Sequence, residues 1–591
     1  MKKASATPLA VTVPAAVTAA TGGQALVRLV RARVRNFRGI EDATLDLGET
    51  TVVMGENNVG KSALLEALDI ALGSRVASTT DLRIGENAVA AGEFVVDMEL
   101  SPSKGTAFDQ TVIDLLGILY RPAPGTNLQS YFVRAVGKPD DTQRAVRVQR
   151  GFMNAWDLGP SEIFLEELSS VQRHALWFSL LDAQRDLAQD LRARTSPWGK
   201  LLRRLQLDEK TRKGFEQQLA QLSTSVTQAL PDATKLAASI ARLQSVLAGQ
   251  VSQARLALLP RTLDDLWRTT DLLVQATGHP ELSIGQQGMG ARSLSSILAF
   301  RAWLEAEIDL SVEPPIMVVT AFEEPEAHLH PQAQRAVFNE ITNVYGQKIV
   351  STHSPYVASV AQLDSFRVVR RCPNVTVRSA QGIEAELSLV PDTLAKMRRF
   401  CLSRNGDMVF ARLVILGEGD TEAGVLPALA RSWWSEPPEV RGVAIIPMDG
   451  VNNARTFAGF LERLGIPWLV IVDGDPQGLG ERDLMLQIPA LANLVPSRVI
   501  TISNASQDVD LEELLAITCT EAAKRALIAA APNASFGLKT ASMQSIAEQL
   551  RRQKATLSVR LGEEVAKDWP AKADFPPVLH RLFTTADTLL A

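Results

Sequence analysis

Thr51-Val52-Val53-Met54-Gly55-Glu56-Asn57-Asn58-Val59-Gly60-Lys61-Ser62-Ala63-Leu64-Leu65-Glu66-Ala67-Leu68 carries the strongest fold signal in the first half of the chain. Thr51 to Met54 is a short β-prone run, Gly55 to Ser62 matches GxxxxGK[ST], and Ala63 to Leu68 is rich in helix formers. Strand, glycine-rich loop and helix in that order form the context this pattern needs to hold phosphates. The backbone amides of such a loop point at a phosphate, and the helix N-terminus adds positive potential. Lys61 reaches the terminal phosphates and Ser62 can ligate Mg²⁺. Asn57, Asn58, Gly60, Lys61 and Ser62 are therefore the candidate ATP-binding residues.

Upstream, Leu26 to Phe37 alternates arginine with Val27, Leu29, Ala32 and Val34, the period of a half-exposed strand. Residues 1–40 contain no acid. In residues 1–25, Lys2 and Lys3 precede an Ala/Val/Thr-rich stretch that Pro8 and Pro14 interrupt, so a disordered leader is expected rather than a secretory signal. Cytosolic ATP then places the chain in the cytoplasm. No run of about 20 apolar residues occurs, so no membrane span is expected.

The 591 residues suggest about four domains, or two large ones with insertions. With 46% apolar, 21% charged and 5% aromatic residues, the chain is an ordinary globular one, neither disordered nor collagenous. Cys372, Cys401 and Cys519 are far apart and lack CxxC or Cys/His spacing, which argues against a disulfide framework and a structural zinc site. The net charge of -5 leaves any DNA contact to local patches.

Downstream, about 161–273 reads as a helical insertion or dimerisation arm. Phe215, Leu219, Leu222 and Val226 recur at helical steps, as do Leu236, Ile240, Leu243 and Leu247, with Pro231 between the two sets. Strand-like runs return at Ile316 to Val319, Lys348 to Ser351 and Phe366 to Val369. The first precedes Glu323-Glu324-Pro325-Glu326-Ala327-His328-Leu329-His330-Pro331, and acids at the C-terminal end of such a strand suit Mg²⁺ and a water-activating base. Glu323 takes the metal side and Glu324 the base. Ser351-Thr352-His353-Ser354-Pro355 follows the second strand and offers His353 as a γ-phosphate sensor.

Together with Asn36-Phe37-Arg38-Gly39-Ile40, these motifs resemble the ABC-type ATPases of the RecF/SMC/OLD group over residues 26–400. The resemblance implies ATP sandwiched between two protomers, each completing the other's site through a signature segment, and hence a homodimer. The segment here is Gln287-Gly288-Met289-Gly290-Ala291-Arg292-Ser293, with Gly288, Gly290 and Ser293 as candidate nucleotide contacts. It departs from the LSGG-type pattern.

A second α/β unit, 408–591, opens with Leu413-Val414-Ile415-Leu416-Gly417-Glu418-Gly419-Asp420-Thr421-Glu422, an apolar strand with two acids four residues apart at its tip. Trp468 to Val472 is another strand, ending in Asp473-Gly474-Asp475, whose acids at i and i+2 would point the same way on extended backbone. Glu418, Glu422, Asp473 and Asp475 can thus gather at one sheet edge. Such a cluster is self-repulsive unless Mg²⁺ or Mn²⁺ lies among it, and two ions there suit phosphodiester hydrolysis. Glu418 counts as both a catalytic and a metal-binding candidate.

This unit resembles a Toprim domain, and Asp508-Val509-Asp510-Leu511-Glu512-Glu513 resembles the third acidic element of Toprim nucleases, which adds Glu512 to the metal set. An ATPase of this type joined to a C-terminal Toprim resembles the OLD (overcoming lysogenization defect) nucleases, which include the nuclease of Gabija anti-phage defence. The expected fold is α/β: an ABC-type ATPase domain with a helical insertion, then a Toprim Rossmann-like parallel-sheet domain. The expected activity is ATP-regulated, divalent-metal-dependent cleavage of duplex DNA in anti-phage defence or DNA repair, with a helicase-like partner in some members. The family also implies a late lysine that stabilises the transition state. Lys567 is the candidate, with Lys572 and Lys554 as rivals. The competing expectation is a RecF/SMC-like DNA-binding ATPase that cuts nothing; a primase or topoisomerase role for the Toprim is weaker still.

Overall fold

Continuous apolar strands build both parallel sheets of the molecule. The computed structural model describes the chain except residues 1–24, 86–90, 124, 141, 143, 160–161, 163, 184–207, 230–272, 276–280, 311–313, 372–373, 384–405, 505–506 and 531–540. The expected leader, the helix anticipated at 236–247, Cys372 and Cys401 lie outside the described residues.

The nucleotide-loop strand, Thr50–Met54, lies inside a six-stranded sheet between Gln347–Ser351 and Phe366–Arg371. Met317–Glu323 and Leu176–Leu181 extend it on one side, all parallel, and Val375–Ser379 closes the other edge antiparallel. Leu176–Leu181 corrects one expectation: the segment read as the start of a helical arm supplies an edge strand. A helix does span Glu209–Ala229, as its apolar spacing predicts. The arginine-rich strand Val27–Phe37 belongs to a separate antiparallel sheet, between Ile40–Asp46 and Phe94–Pro102.

The second unit has four parallel strands in the order Val443–Pro447, Leu413–Gly417, Trp468–Val472, Val499–Thr501. Successive residues on a strand face opposite sides. Val53 therefore joins the core under the helix Lys61–Ala71 and the antiparallel sheet, while Val52 and Met54 face the other way. On that other side they share one core with Val414, Leu416, Trp468 and Val470 of the second sheet. Leu413, Ile415, Leu469 and Ile471 face the C-terminal helices in a third core. Burial on both faces explains why these strands read as unbroken apolar runs rather than alternating ones. The two units are fused through a common core, and the linker turn Gly406–Phe410 is seated so closely on the other unit that a Cβ on Gly406 would stand 2.9 Å from that of Pro355. No described helix is long and apolar enough to cross a membrane.

Candidate active sites

In a parallel sheet all strand tips point one way, so both groups of motif residues collect at C-terminal edges, where ligands bind in open α/β sheets. At the first edge the loop after Met54 turns through backbone that favours glycine, with φ of 149° at Gly55 and 111° at Gly60, and Asn58 takes 61°. Lys61 opens the following helix, and its ammonium donates to the carbonyls of Gly55 (2.9 Å) and Glu56 (2.7 Å). Burial pushes the Lys61 ammonium down to about 8, against the opposing pull of Glu324, Glu326 and Glu323. A half-desolvated cation inside a loop of convergent amides is suited to a polyphosphate.

Ser62 donates a side-chain hydrogen bond to Glu323 at the tip of Met317–Glu323, which joins the two expected Mg²⁺ ligands. Burial holds the Glu323 carboxyl above its ordinary range. Glu324 has φ of 42°, an unusual conformation for a non-glycine residue, and its carboxylate lies 3.5 Å from His353 Nε2. Burial, and then the charge of Lys61, lower the His353 pKa, which favours the neutral ring. Gly290 of the signature segment packs on the His328 carbonyl and Leu329, where a Cβ would come within 2.7 Å of the oxygen. A Cβ on Gly288 would meet nothing within 4 Å, and the Ser293 hydroxyl is buried without a partner among the described residues.

At the second edge, Glu418 follows Leu413–Gly417 directly, and Glu422 lies one turn into the helix Asp420–Trp434. Glu422 is 4% exposed and accepts from the Gly419 N–H at 2.9 Å. Glu418 accepts the Asp473 backbone N–H, leaving its Oε2 buried without a partner among the described residues. Glu512, 1% exposed on the helix Leu511–Thr518, accepts from Thr421 Oγ1 at 2.6 Å, and its Oε2 is likewise unpartnered. Two like charges about 4 Å apart repel by about 4 kcal/mol at an effective dielectric of about 20, so the cluster resists full ionisation. Burial, and after it Glu422, Glu418 and Glu512, push the Asp473 carboxyl up to about 8. Burial, with Glu512 and Glu418 adding to it, pushes Glu422 up to about 7.

Two sequence expectations change here. The strand stops at Val472, so the i, i+2 rule for extended backbone does not reach Asp475. That residue caps the helix Pro476–Met485, its Oδ1 accepting the Gly478 N–H at 2.7 Å, although its charge is still felt at Glu418. The lysine brought to the cluster is Lys554, whose Nζ lies 3.1 Å from Glu512 Oε1. Burial works to lower the Lys554 pKa, yet Glu512, Glu422 and Asp473 carry it above its usual value. Lys567, the sequence candidate, ends the same helix, Lys554–Asp568, about 20 Å further along at about 1.5 Å per residue. It is exposed and paired with Glu564 at 2.6 Å. Lys572 pairs with Asp587 over the Trp433 ring.

Asp510, unassigned from sequence, adds its charge at Asp473 while capping the Leu511–Thr518 helix and pairing with Arg551 at 2.6 Å. Its place within Asp508-Val509-Asp510-Leu511-Glu512 was the available signal. Among the described residues no group of three or more His, Cys, Asp or Glu side chains stands ready to hold a metal ion. The orphaned Oε2 atoms of Glu418 and Glu512 and the all-oxygen donor set nonetheless fit a hard divalent cation.

These pKa shifts have a signed consequence. Asp473 and Glu422 bind protons more tightly in the folded chain, so without metal the stability these two groups contribute is fully present below about pH 4 and is lost as pH rises towards about 8. Metal competes with those protons. The expected melting temperature in chelator falls from pH 6 to pH 8.5, and the rise produced by Mg²⁺ is larger at pH 8.5. A Mg²⁺ shift that is equal at both pH values would contradict this assignment.

The AAA ATPase domain model matches residues 28–114 and 137–358, together more than half of the chain. The TOPRIM domain model of overcoming lysogenization defect protein-like sequences matches residues 409–475. The OLD nuclease of Thermus scotoductus is 25% identical over 470 residues, 77% of this chain and 83% of that protein. Uncharacterized protein YbjD of Escherichia coli K12 is 25% identical over 76% of this chain and 80% of its own length. The Old nuclease of Escherichia phage P2 is 21% identical, with coverage of 76% and 77%. The phosphate loop and the acidic sheet edge fall one in each matched domain, and the chain belongs to the AAA ATPase domain family, its ATPase domain followed by a C-terminal Toprim domain of the OLD-like type.

Proposed function

We propose that the chain is a divalent-metal-dependent DNA endonuclease regulated by ATP, acting as a homodimer. The observation that carries this reading is the second sheet edge: Glu418, Glu422, Asp473 and Glu512 share one buried cluster, two of their oxygens are unpartnered, and Lys554 stands at its rim. Glu418, Glu422, Asp473 and Glu512 would hold the cations, with Asp510 as a neighbour. Bound there, Mg²⁺ or Mn²⁺ supplies charge compensation and a water of lowered pKa. The chain's own contribution is to fix these carboxylates on rigid strand tips and helix starts, and to hold an ammonium where negative charge builds up on a phosphodiester.

At the other edge Lys61 and the loop amides would cradle the ATP phosphates, Ser62 and Glu323 would take Mg²⁺, and Glu324, 3.5 Å from His353, would orient the attacking water. Gly288 and Met289 present the exposed N-terminal end of the helix Met289–Leu310, which suits contact with a second protomer's nucleotide.

The test is a supercoiled-plasmid assay in Mg²⁺ and in Mn²⁺, with and without ATP. Nicked or linear product that disappears with chelator is expected. ATP turnover without strand scission under any of these conditions would replace this reading with that of a DNA-binding ATPase. Lys61→Ala is expected to weaken ATP binding by more than about a hundredfold, since it removes a buried charge from the phosphates. Equilibrium titration with a fluorescent ATP analogue measures this, and an unchanged Kd would exclude the loop as the nucleotide site.

A further inference from the structure

We infer that Glu326 is a positioning residue of the ATPase site, holding His353 in place through its backbone. This rests on the reading that ATP is hydrolysed at the Gly55–Ser62 loop. Met317–Glu323 and Gln347–Ser351 are adjacent parallel strands in register at their tips, Glu323 beside Ser351. The segments leaving them carry Glu324 and His353, so the relative placement of two loops determines whether carboxylate and imidazole face each other. One side chain ties those loops together. Glu326, 8% exposed, accepts from Thr352 Oγ1 at 2.6 Å and from the His353 N–H at 2.9 Å, both on the same oxygen, Oε1.

Burying a carboxylate is costly, and its Oε2 is buried without a partner among the described residues. An apolar side chain would fill the volume without that penalty. What the carboxylate adds is an acceptor shared by a hydroxyl and an amide of the neighbouring loop. With the backbone held, the His353 ring stands between Glu324, 3.5 Å from Nε2, and the Phe410 ring, 6.4 Å away and tilted 31°. Glu326 does not touch the nucleotide loop through any of these bonds. Its effect is expected in turnover rather than in nucleotide capture.

The experiment measures steady-state ATP hydrolysis and nucleotide affinity on the full chain. Glu326→Ala is expected to lower kcat by about tenfold or more while the nucleotide Kd stays within about threefold. Glu326→Gln is expected to recover most of the rate, because the amide oxygen still accepts both bonds. Glu326→Ala combined with His353→Ala is expected to be no slower than the slower single variant, the non-additivity of residues acting as one unit. The inference is overturned if Glu326→Ala turns over at the wild-type rate, if it loses rate and affinity together, or if Glu326→Gln is as slow as Glu326→Ala. A wild-type chain with no turnover above that of Lys61→Ala overturns the ATPase reading and the inference with it, a result distinct from turnover indifferent to Glu326.

Discussion

Asp473→Asn is expected to abolish plasmid cleavage and, in the same protein, to raise the melting temperature measured in chelator at pH 8. The two effects have one cause. Asp473 lies among Glu422, Glu418 and Glu512, and burial together with these neighbours pushes its carboxyl up to about 8. Folding the metal-free chain at higher pH therefore forces a charge into a place that disfavours it, and the neutral amide removes that cost. The same substitution deletes an anionic ligand from the centre of the acidic edge. Loss of outer-shell partners alone costs 10–100-fold in metal sites, so losing a ligand is expected to cost more than about a hundredfold. A variant that is more stable and inactive separates a catalytic role from a structural one. Cleavage at the wild-type rate would remove Asp473 from the metal site, and a lowered melting temperature would show that its carboxylate is compensated in the free protein.

Lys554→Ala is expected to lower cleavage by about 10²–10³, the usual cost of removing a preorganised group that stabilises transition-state charge. Lys567→Ala is expected to leave it within about twofold. Lys554 Nζ is 3.1 Å from the buried Glu512, whereas Lys567 pairs on the surface with Glu564. Removing Lys554 also leaves the Glu512 carboxylate buried without its cation, so Lys554→Ala lowers stability as well. Lys554→Arg keeps the charge and restores folding, which makes cleavage by that variant a measure of ammonium geometry. Gel-based nicking rates at saturating Mn²⁺ decide the matter. Equal rates for Lys554→Ala and the wild type would exclude the assignment, and a larger loss in Lys567→Ala would return the role to the sequence candidate.

The contrast between these lysines shows where sequence reasoning runs out. Both lie in one helix, and neither is part of a motif that fixes its partner. The choice was made by a helix crossing: a Cβ on Gly562 would stand 2.9 Å from the Cα of Val425, so Lys554–Asp568 lies almost backbone to backbone against Asp420–Trp434. That contact spans well over a hundred residues and turns the start of the later helix towards Glu512. Asp475 stays near enough for its charge to act on Glu418, but it does so from a helix start and not from the strand. The i, i+2 rule holds only while the backbone stays extended, and the strand had already ended at Val472. Glu326 stood inside a quoted motif, yet nothing local shows that its partners would be Thr352 and His353.

Legible in the local sequence were the two main sheets, the glycine-rich loop with Lys61 and Ser62, and the positions of Glu323, Glu418, Glu422 and Asp473 at strand tips or in the helical turn that follows. These are local properties: an apolar strand, a tight turn and a helix start recruit their residues from within about ten positions of chain. Long-range packing set the rest: Leu176–Leu181 as an edge strand, one apolar core shared by both units, Lys554 rather than Lys567 against Glu512, and the charge of Asp510 acting on Asp473. Each depends on which elements distant in sequence pack together, and that is settled by the shape and burial of whole faces, which no window of neighbouring residues encodes.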